Sequence, residues 1–229
     1  MTIKNKTALV TGGSSGFGLA LAKALLEKGA HVHICGRSQE KLSKAKDLLD
    51  SEKLEVHRCD VSSVDEVQEL EKTVGGVDIL INSAGILIEN NLEDCSYEDI
   101  NTVLEVNLLG TIYITKAFLP YMKAKDEGFI VNVSSTSGLI GRPKQTLYCA
   151  SKFGVQGFTQ ALSQELWQTG VFVSGFYPGG MQTSLFDQTD STKDLSSFMD
   201  PAKVAEVVVF AIERDASMSL NHLVVNRRK

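Results

Sequence analysis

The sequence predicts an α/β fold: a doubly wound parallel sheet of about seven strands with helices on both faces. Three observations point there. Short apolar or β-branched runs alternate with longer amphipathic ones along the whole chain. Two of the short runs, residues 77–82 (VDILIN) and 129–134 (FIVNVS), are almost continuously apolar, as strands buried on both faces are. A glycine-rich turn joins the first strand to the first helix. Alternation repeated this often favours a parallel sheet, because right-handed crossovers return each strand beside an earlier one in the same direction.

Taken in order, Thr7–Thr11 (TALVT) reads as a strand and residues 17–28 as a helix stopped by Gly29. Residues 31–35 form a second strand, and Gln39–Leu49 a helix whose apolar stripe is Leu42, Ala45, Leu48 and Leu49. Residues 54–60 are a third strand and 64–73 a helix, followed by the buried strand 77–82. Two helices are expected at 97–107 and 108–123, then the strand 129–134 and a long helix at 148–167. A strand at 171–177, a helix at 201–214 opened by Pro201, and a last strand at 220–225 complete the pattern. No repeat or linker interrupts it, so residues 1–229 are expected to form one domain. Residues 184–199 are polar and poorly periodic, the expected place for a substrate flap.

A chain of 229 residues with 43% hydrophobic and 22% charged residues has the composition of a soluble globular protein. Its net charge of −5 gives no electrostatic reason to expect nucleic acid or an anionic membrane as partner. The longest apolar runs are too short to span a bilayer. Cys35, Cys59, Cys95 and Cys149 show no C-x-x-C spacing, and no signal peptide precedes the first strand; reduced thiols and a cytoplasmic location are expected. His31 and His33 share one strand face, but sequence spacing brings no acid or cysteine cluster to the histidines, and no metal site is expected.

The turn reads Thr11-Gly12-Gly13-Ser14-Ser15-Gly16-Phe17-Gly18. Glycines at 12, 16 and 18 let backbone approach a phosphate and set it at a helix N-terminus, where unpaired N–H groups favour an anion. A tight turn without a ligand would use the same residue types; its place after the first buried strand favours a dinucleotide. The second strand runs out at Cys35-Gly36-Arg37-Ser38, with no acid to accept bonds from a ribose 2′-hydroxyl. Arg37 could instead meet a 2′-phosphate through charge-assisted bonds, or be a solvated loop arginine. Tyrosine stands four places before lysine twice, at Tyr121/Lys125 and Tyr148/Lys152.

These stretches together resemble the short-chain dehydrogenase/reductase family. The glycine loop is similar to its TGxxxGxG, Asn82-Ser83-Ala84-Gly85 to its NNAG, and Tyr148-x-x-x-Lys152 to its YxxxK, with Ser135 thirteen residues ahead of Tyr148. Asn107 matches the family's helix asparagine, and Pro178-Gly179 with Thr183 its PGxxxT. No serine stands at that distance before Tyr121, where position 108 is leucine, so Tyr148 and Lys152 are the working pair.

The resemblance implies a Rossmann-like fold and hydride transfer between a nicotinamide and a carbonyl or secondary alcohol. Tyr148 would be the general acid/base, Ser135 would hold the substrate oxygen, and Asn107 would help bind a relay water. Lys152 would bind the nicotinamide ribose and favour the phenolate, lowering a phenol that ordinarily titrates at about 10. The cofactor would lie along Gly12, Ser14, Ser15, Gly16, Phe17 and Gly18, then Arg37 and Ser38, then Asp60 and Val61 beside the adenine. Asn82, Ala84, Gly85, Pro178, Gly179 and Thr183 would complete its site with Tyr148 and Lys152. The Gly-Arg pair implies NADP(H) over NAD(H). Leu139, Ile140, Leu147, Met181, Leu185 and Phe186 would supply an apolar substrate lining, with Arg142 and Lys144 at the pocket mouth. Homodimers or homotetramers are implied through the helices at 108–123 and 148–167.

Departures are Ser83 for the second asparagine, Phe17 for isoleucine, Tyr177 before Pro178, and a final strand without a glycine-rich ending. A cofactor-binding sensor without turnover is the competing class; it would be expected to lack part of the serine, tyrosine and lysine set, which is complete here. A methyltransferase would want an acid where Gly36 and Arg37 stand.

Overall fold

The computed structural model describes residues 1–185, 195–215 and 217–228. Its strands are β1 (Thr7–Thr11), β2 (His31–Gly36), β3 (Leu54–Arg58), β4 (Ile79–Asn82), β5 (Gly128–Val133), β6 (Val171–Pro178) and β7 (His222–Val225). They form one sheet in the order β3-β2-β1-β4-β5-β6-β7, each neighbouring pair parallel. The order reverses between β1 and β4, which opens a crevice beyond the strands' carboxyl ends.

Alternation along the strands divides the core between two faces. Val10, Val32, Ile34, Ile79 and Val131 face one side, against α1 (Gly16–Glu27), α2 (Gln39–Leu49) and α7 (Pro201–Glu213). Leu21, Leu25, Leu42, Val204, Val208 and Ile212 supply the helical half of that layer. Leu9, Leu80, Ile130 and Val173 face the other side, against α3 (Val64–Val74), α4 (Tyr97–Leu104), α5 (Gly110–Lys125) and α6 (Thr146–Glu165). Ile79, Leu80 and Ile81 are wholly buried in sequence, which explains why β4 reads as a run without alternation. Each such side chain contributes about 1.5–3 kcal/mol on burial.

The two helices expected at 97–107 and 108–123 are one continuous helical run, Tyr97–Lys125. No proline or glycine stands at the expected break, and the join is made by a widened π turn, Glu105–Leu109, in which the Gly110 N–H reaches the Glu105 carbonyl. The run is 29 residues long, enough by length and composition to cross a bilayer. Here it is a core helix: Val103, Val106, Ile114, Phe118 and Met122 are buried against the sheet. Its extra residue per turn carries Asn107 inward, fully buried, towards the loop after β4.

Candidate active site

The crevice is a cleft of about 510 Å³ running from the glycine loop, past the ends of β4 and β5, to the turn after β6. Gly12 has φ +66°, the left-handed region, and a Cβ there would lie 2.9 Å from Ala84 Cα, so the loop after β4 can pack directly on it. A Cβ at Gly18 would lie 2.3 Å from the Gly12 carbonyl oxygen, which makes glycine the residue that lets α1 start so close under the loop. Thr11 Oγ1 accepts from the Ser83 and Ala84 N–H groups, 3.0 Å each, tying the loop after β4 to the end of β1. Ser15 precedes α1 in extended backbone without a side-chain cap bond, and no acid lies in the first turn. That helix end therefore presents its N–H groups to the cleft, where an anion would be held. Thr183 packs on the loop, its Cβ 3.2 Å from where a Cβ of Gly16 would stand.

At the end beside β2 and β3 the cleft is lined by Ser14, Gly36, Arg37, Ser38, Lys41, Cys59, Asp60 and Val61. Arg37 is exposed, its Nη1 4.0 Å from Asp60 Oδ2. The other oxygen of Asp60 accepts from the Ser62 hydroxyl at 2.6 Å and the Ser62 N–H at 3.0 Å. Capping of α3 falls to Ser63, which accepts from the Glu66 N–H, so Asp60 is not needed as a cap. Ser38 caps α2 by accepting from the Lys41 N–H at 3.2 Å. Lys41 thus stands one turn into α2 on the cleft side, a second cation beside Arg37.

At the other end, Tyr148 and Lys152 lie one turn apart on α6, both buried, with Lys152 Nζ 5.7 Å from the Tyr148 ring centre. Burial pushes the Tyr148 phenol up to about 12, while the nearby Ser135 hydroxyl pulls the other way. Burial brings Lys152 down to about 8. The expected lowering of the phenol by Lys152 is therefore not what the protein alone gives: burial dominates, and the influence that pulls the phenol down is Ser135. Lys152 Nζ donates to the Val133 carbonyl at 2.9 Å, and the Ser134 hydroxyl donates to the Lys152 carbonyl at 2.9 Å. Ser135 Oγ accepts from the Ser137 N–H at 3.1 Å.

A hydrogen-bond chain fixes this geometry. Asn107 Oδ1 accepts from the Ile86 N–H at 2.8 Å, and its Nδ2 donates to the Ile86 carbonyl and to Ser151 Oγ, 3.0 Å each. The Ser151 hydroxyl donates to the Tyr148 carbonyl at 2.8 Å. Asn107 therefore clamps the loop after β4 to the first turn of α6. Beyond Ser135, the Ser137 hydroxyl donates to Gln145 Oε1 at 3.0 Å and Gln145 Nε2 to Glu89 Oε1 at 2.6 Å.

The cleft brings together Gly12, Ser14, Ser15, Gly16, Phe17, Gly18, Arg37, Ser38, Asp60, Val61, Ala84, Gly85, Ser135, Tyr148, Lys152, Pro178, Gly179 and Thr183. Asn82 does not line the cleft: it is buried beneath it, its Nδ2 donating to Thr115 Oγ1 at 2.9 Å and Asn132 Oδ1 at 2.8 Å, and it braces β4 against α5 and β5. Leu147 is also core, Ile140 is exposed, and Leu139 does not line the cleft. Ile86, Leu87 and Phe198 supply apolar lining instead, with Met181 and Leu185. Phe186 and residues 187–194 of the expected flap lie outside the described residues; its ends are joined by backbone bonds from Gln182 to Met199 and from Met199 to Gly180.

Sequence reading missed Lys41, Gln145, Phe198, Asn226 and Arg227 in the lining. Lys41 was findable, four residues after Arg37 and three after a helix-capping serine; the rest depend on tertiary packing. Tyr121 lies elsewhere, at the amino-terminal edge of the sheet, its ring covering Gly76 and 5.9 Å from Lys125 Nζ.

A family model for short chain dehydrogenases matches residues 6–194. An uncharacterized oxidoreductase of Staphylococcus aureus (strain MW2) is 35% identical over 230 residues, 97% of each chain. Among solved structures, the actinorhodin polyketide ketoreductase with NADPH is 31% identical with a TM-score of 0.89, over 97% of this chain and 96% of that one. A short chain dehydrogenase/reductase from Burkholderia phymatum in complex with NAD is 25% identical with a TM-score of 0.89, over 98% of this chain and 90% of that one.

Proposed function

The chain belongs to the short-chain dehydrogenase family, and from that premise we propose that it is an NADP(H)-dependent reductase of carbonyl compounds, or dehydrogenase of the matching alcohols, with Tyr148 as its general acid/base. Oxidoreductase chemistry with a nicotinamide cofactor on a small-molecule substrate is the family's property. One observation carries the finer reading: Tyr148 is buried and lines the cleft with Ser135, one turn from Lys152.

The residues present fit a dinucleotide. The close backbone approach at Gly12 and Gly18 and the uncapped start of α1 make a cradle that larger side chains would fill. Gly85 lies where a Cβ would stand 3.5 Å from Lys152 Nζ, so this glycine keeps open the space beside the lysine. When bound, the cofactor supplies or accepts the hydride. The protein's part is the proton and the placement. The Tyr148 phenol, held protonated by burial, gives its proton to the carbonyl oxygen in reduction, and in oxidation its phenolate takes one from the hydroxyl. Ser135 holds that oxygen and stabilises charge developing on it. Lys152, charged below about pH 8, favours the phenolate that is left. Asn107 acts through backbone, fixing the loop after β4 against α6.

Support for NADP(H) comes from Arg37 and Lys41, two cations at the end of β2 where an acid would suit a free ribose hydroxyl. A second copy of the chain is the proposed protein partner: α5 and α6 present Ile112, Leu119, Pro120 and Phe158 around one hollow rimmed by Lys116, Lys123 and Glu165. The four cysteines are free thiols, in keeping with the proposed cytoplasmic setting.

Titration of purified protein with NADPH and NADH, followed by nucleotide fluorescence, tests the cofactor reading. Binding of NADPH at least tenfold tighter than NADH is expected. Preference for NADH would overturn the specificity and leave the catalytic reading standing; binding of neither would remove both.

A further inference from the structure

Parallel register places a second cluster of reactive side chains on the sheet, away from the cleft. His33 of β2 pairs with Glu55 of β3, and Cys35 pairs with His57, so Glu55 and His57 share the strand face on which His33 lies. His33 Nδ1 stands 3.0 Å from His57 Nε2 and 3.9 Å from Glu55 Oε2, and the three ligand atoms lie within 4.8 Å of one another. From this geometry we propose that His33, Glu55 and His57 form a binding site for a first-row divalent transition ion, zinc foremost, that bridges β2 to the edge strand β3.

Two imidazole nitrogens already stand side by side, sharing a hydrogen bond of 3.0 Å. Ligands about 2.0–2.1 Å from a tetrahedral zinc stand about 3.3 Å from each other, so the two nitrogens need to part by only a few tenths of an ångström, with the rings turning so that both lone pairs face the ion. Without a metal, a single proton must lie between the two ring nitrogens. The Glu55 carboxylate adds the third ligand and the charge that two neutral imidazoles lack. Two imidazoles and one carboxylate suit zinc, copper or nickel; magnesium and calcium want oxygen ligands. His33 is largely buried and Glu55 is exposed, so the ion has a rigid anchor on one side and a path from solvent on the other. Sequence spacing hides the cluster, because only Glu55-x-His57 is local and His33 is brought in by strand pairing.

The test uses the full chain, stripped with a chelator and titrated with zinc against a chromophoric zinc indicator, with thermal unfolding recorded in parallel. One zinc per chain is expected, with a rise in melting temperature and no competition from magnesium or calcium. His57→Gln should weaken zinc binding at least tenfold and abolish the melting shift. Glu55→Gln, at an exposed position and so without risk to folding, should weaken it several-fold. Cys59→Ser should leave zinc affinity unchanged. The proposal is overturned if no zinc is bound, if His57→Gln and Glu55→Gln bind it as the parent does, or if Cys59→Ser removes it. None of these readouts depends on hydride transfer, so failure here is separate from failure of the oxidoreductase reading.

Discussion

At Arg37 and Lys41 the chain sets two cations at the β2 end of the cleft, with Asp60 as the one carboxylate lining it among the described residues. A charge-assisted hydrogen bond is worth about 1.5–3 kcal/mol. On the proposed reading Arg37→Ala should weaken NADPH binding about 10- to 100-fold and NADH binding by less than about threefold. Lys41→Ala should show the same bias at smaller size, both read by fluorescence titration. The buried pair at the reactive end makes a pH prediction. Lys152 titrates at about 8 in the folded protein against an ordinary 10.5, so between those values the unfolded chain binds more protons and stability rises with pH. Tyr148 titrates at about 12 against an ordinary 10.0, so above 10 the folded chain keeps its proton longer and stability falls. Denaturant midpoints should therefore rise from pH 8 towards pH 10 by more in the parent than in Lys152→Met, and a parent curve parallel to the variant's would contradict this. Residue types at fixed spacing made Tyr148, Lys152 and Ser135 legible. Asn82 was not, because whether a strand-end side chain turns up into a cleft or down into Thr115 and Asn132 is decided by packing.

Elements were legible wherever one local signal decided them. Helix α2 begins and ends at the expected residues because Ser38 caps it and its apolar stripe stops at Leu49. The fused run from α4 through α5 was not, since a π turn leaves no mark in composition and Asn107 reads equally well in an ordinary helix. Close approach between elements makes a sharper statement. Gly18→Ala would set a carbon 2.3 Å from the Gly12 carbonyl, so α1 and its loop must part. Overpacking of this kind costs about 1–3 kcal/mol. Thermal unfolding should register that loss, and dinucleotide affinity should fall with it; an unchanged melting temperature would contradict the packing account.

For the whole molecule, strand–helix alternation was enough to give the doubly wound sheet, while the cross-strand register that assembles His33 with Glu55 and His57 could come only from the fold. The face formed by α5 and α6 belongs to this scale. Ile112→Glu should convert the proposed dimer into monomer in sedimentation with little change in melting temperature, and a parent that already sediments as a monomer would contradict it. The central claim is that the cleft transfers hydride with the help of Tyr148. Its most direct test is NADPH consumption over a panel of ketones and oxo acids, measured for the parent, Tyr148→Phe and Tyr121→Phe, with NADPH binding recorded for each. The account expects Tyr148→Phe to bind NADPH as the parent does and to lose at least about 100-fold in turnover, with Tyr121→Phe unchanged. Full turnover by Tyr148→Phe, or its loss in Tyr121→Phe, would contradict it.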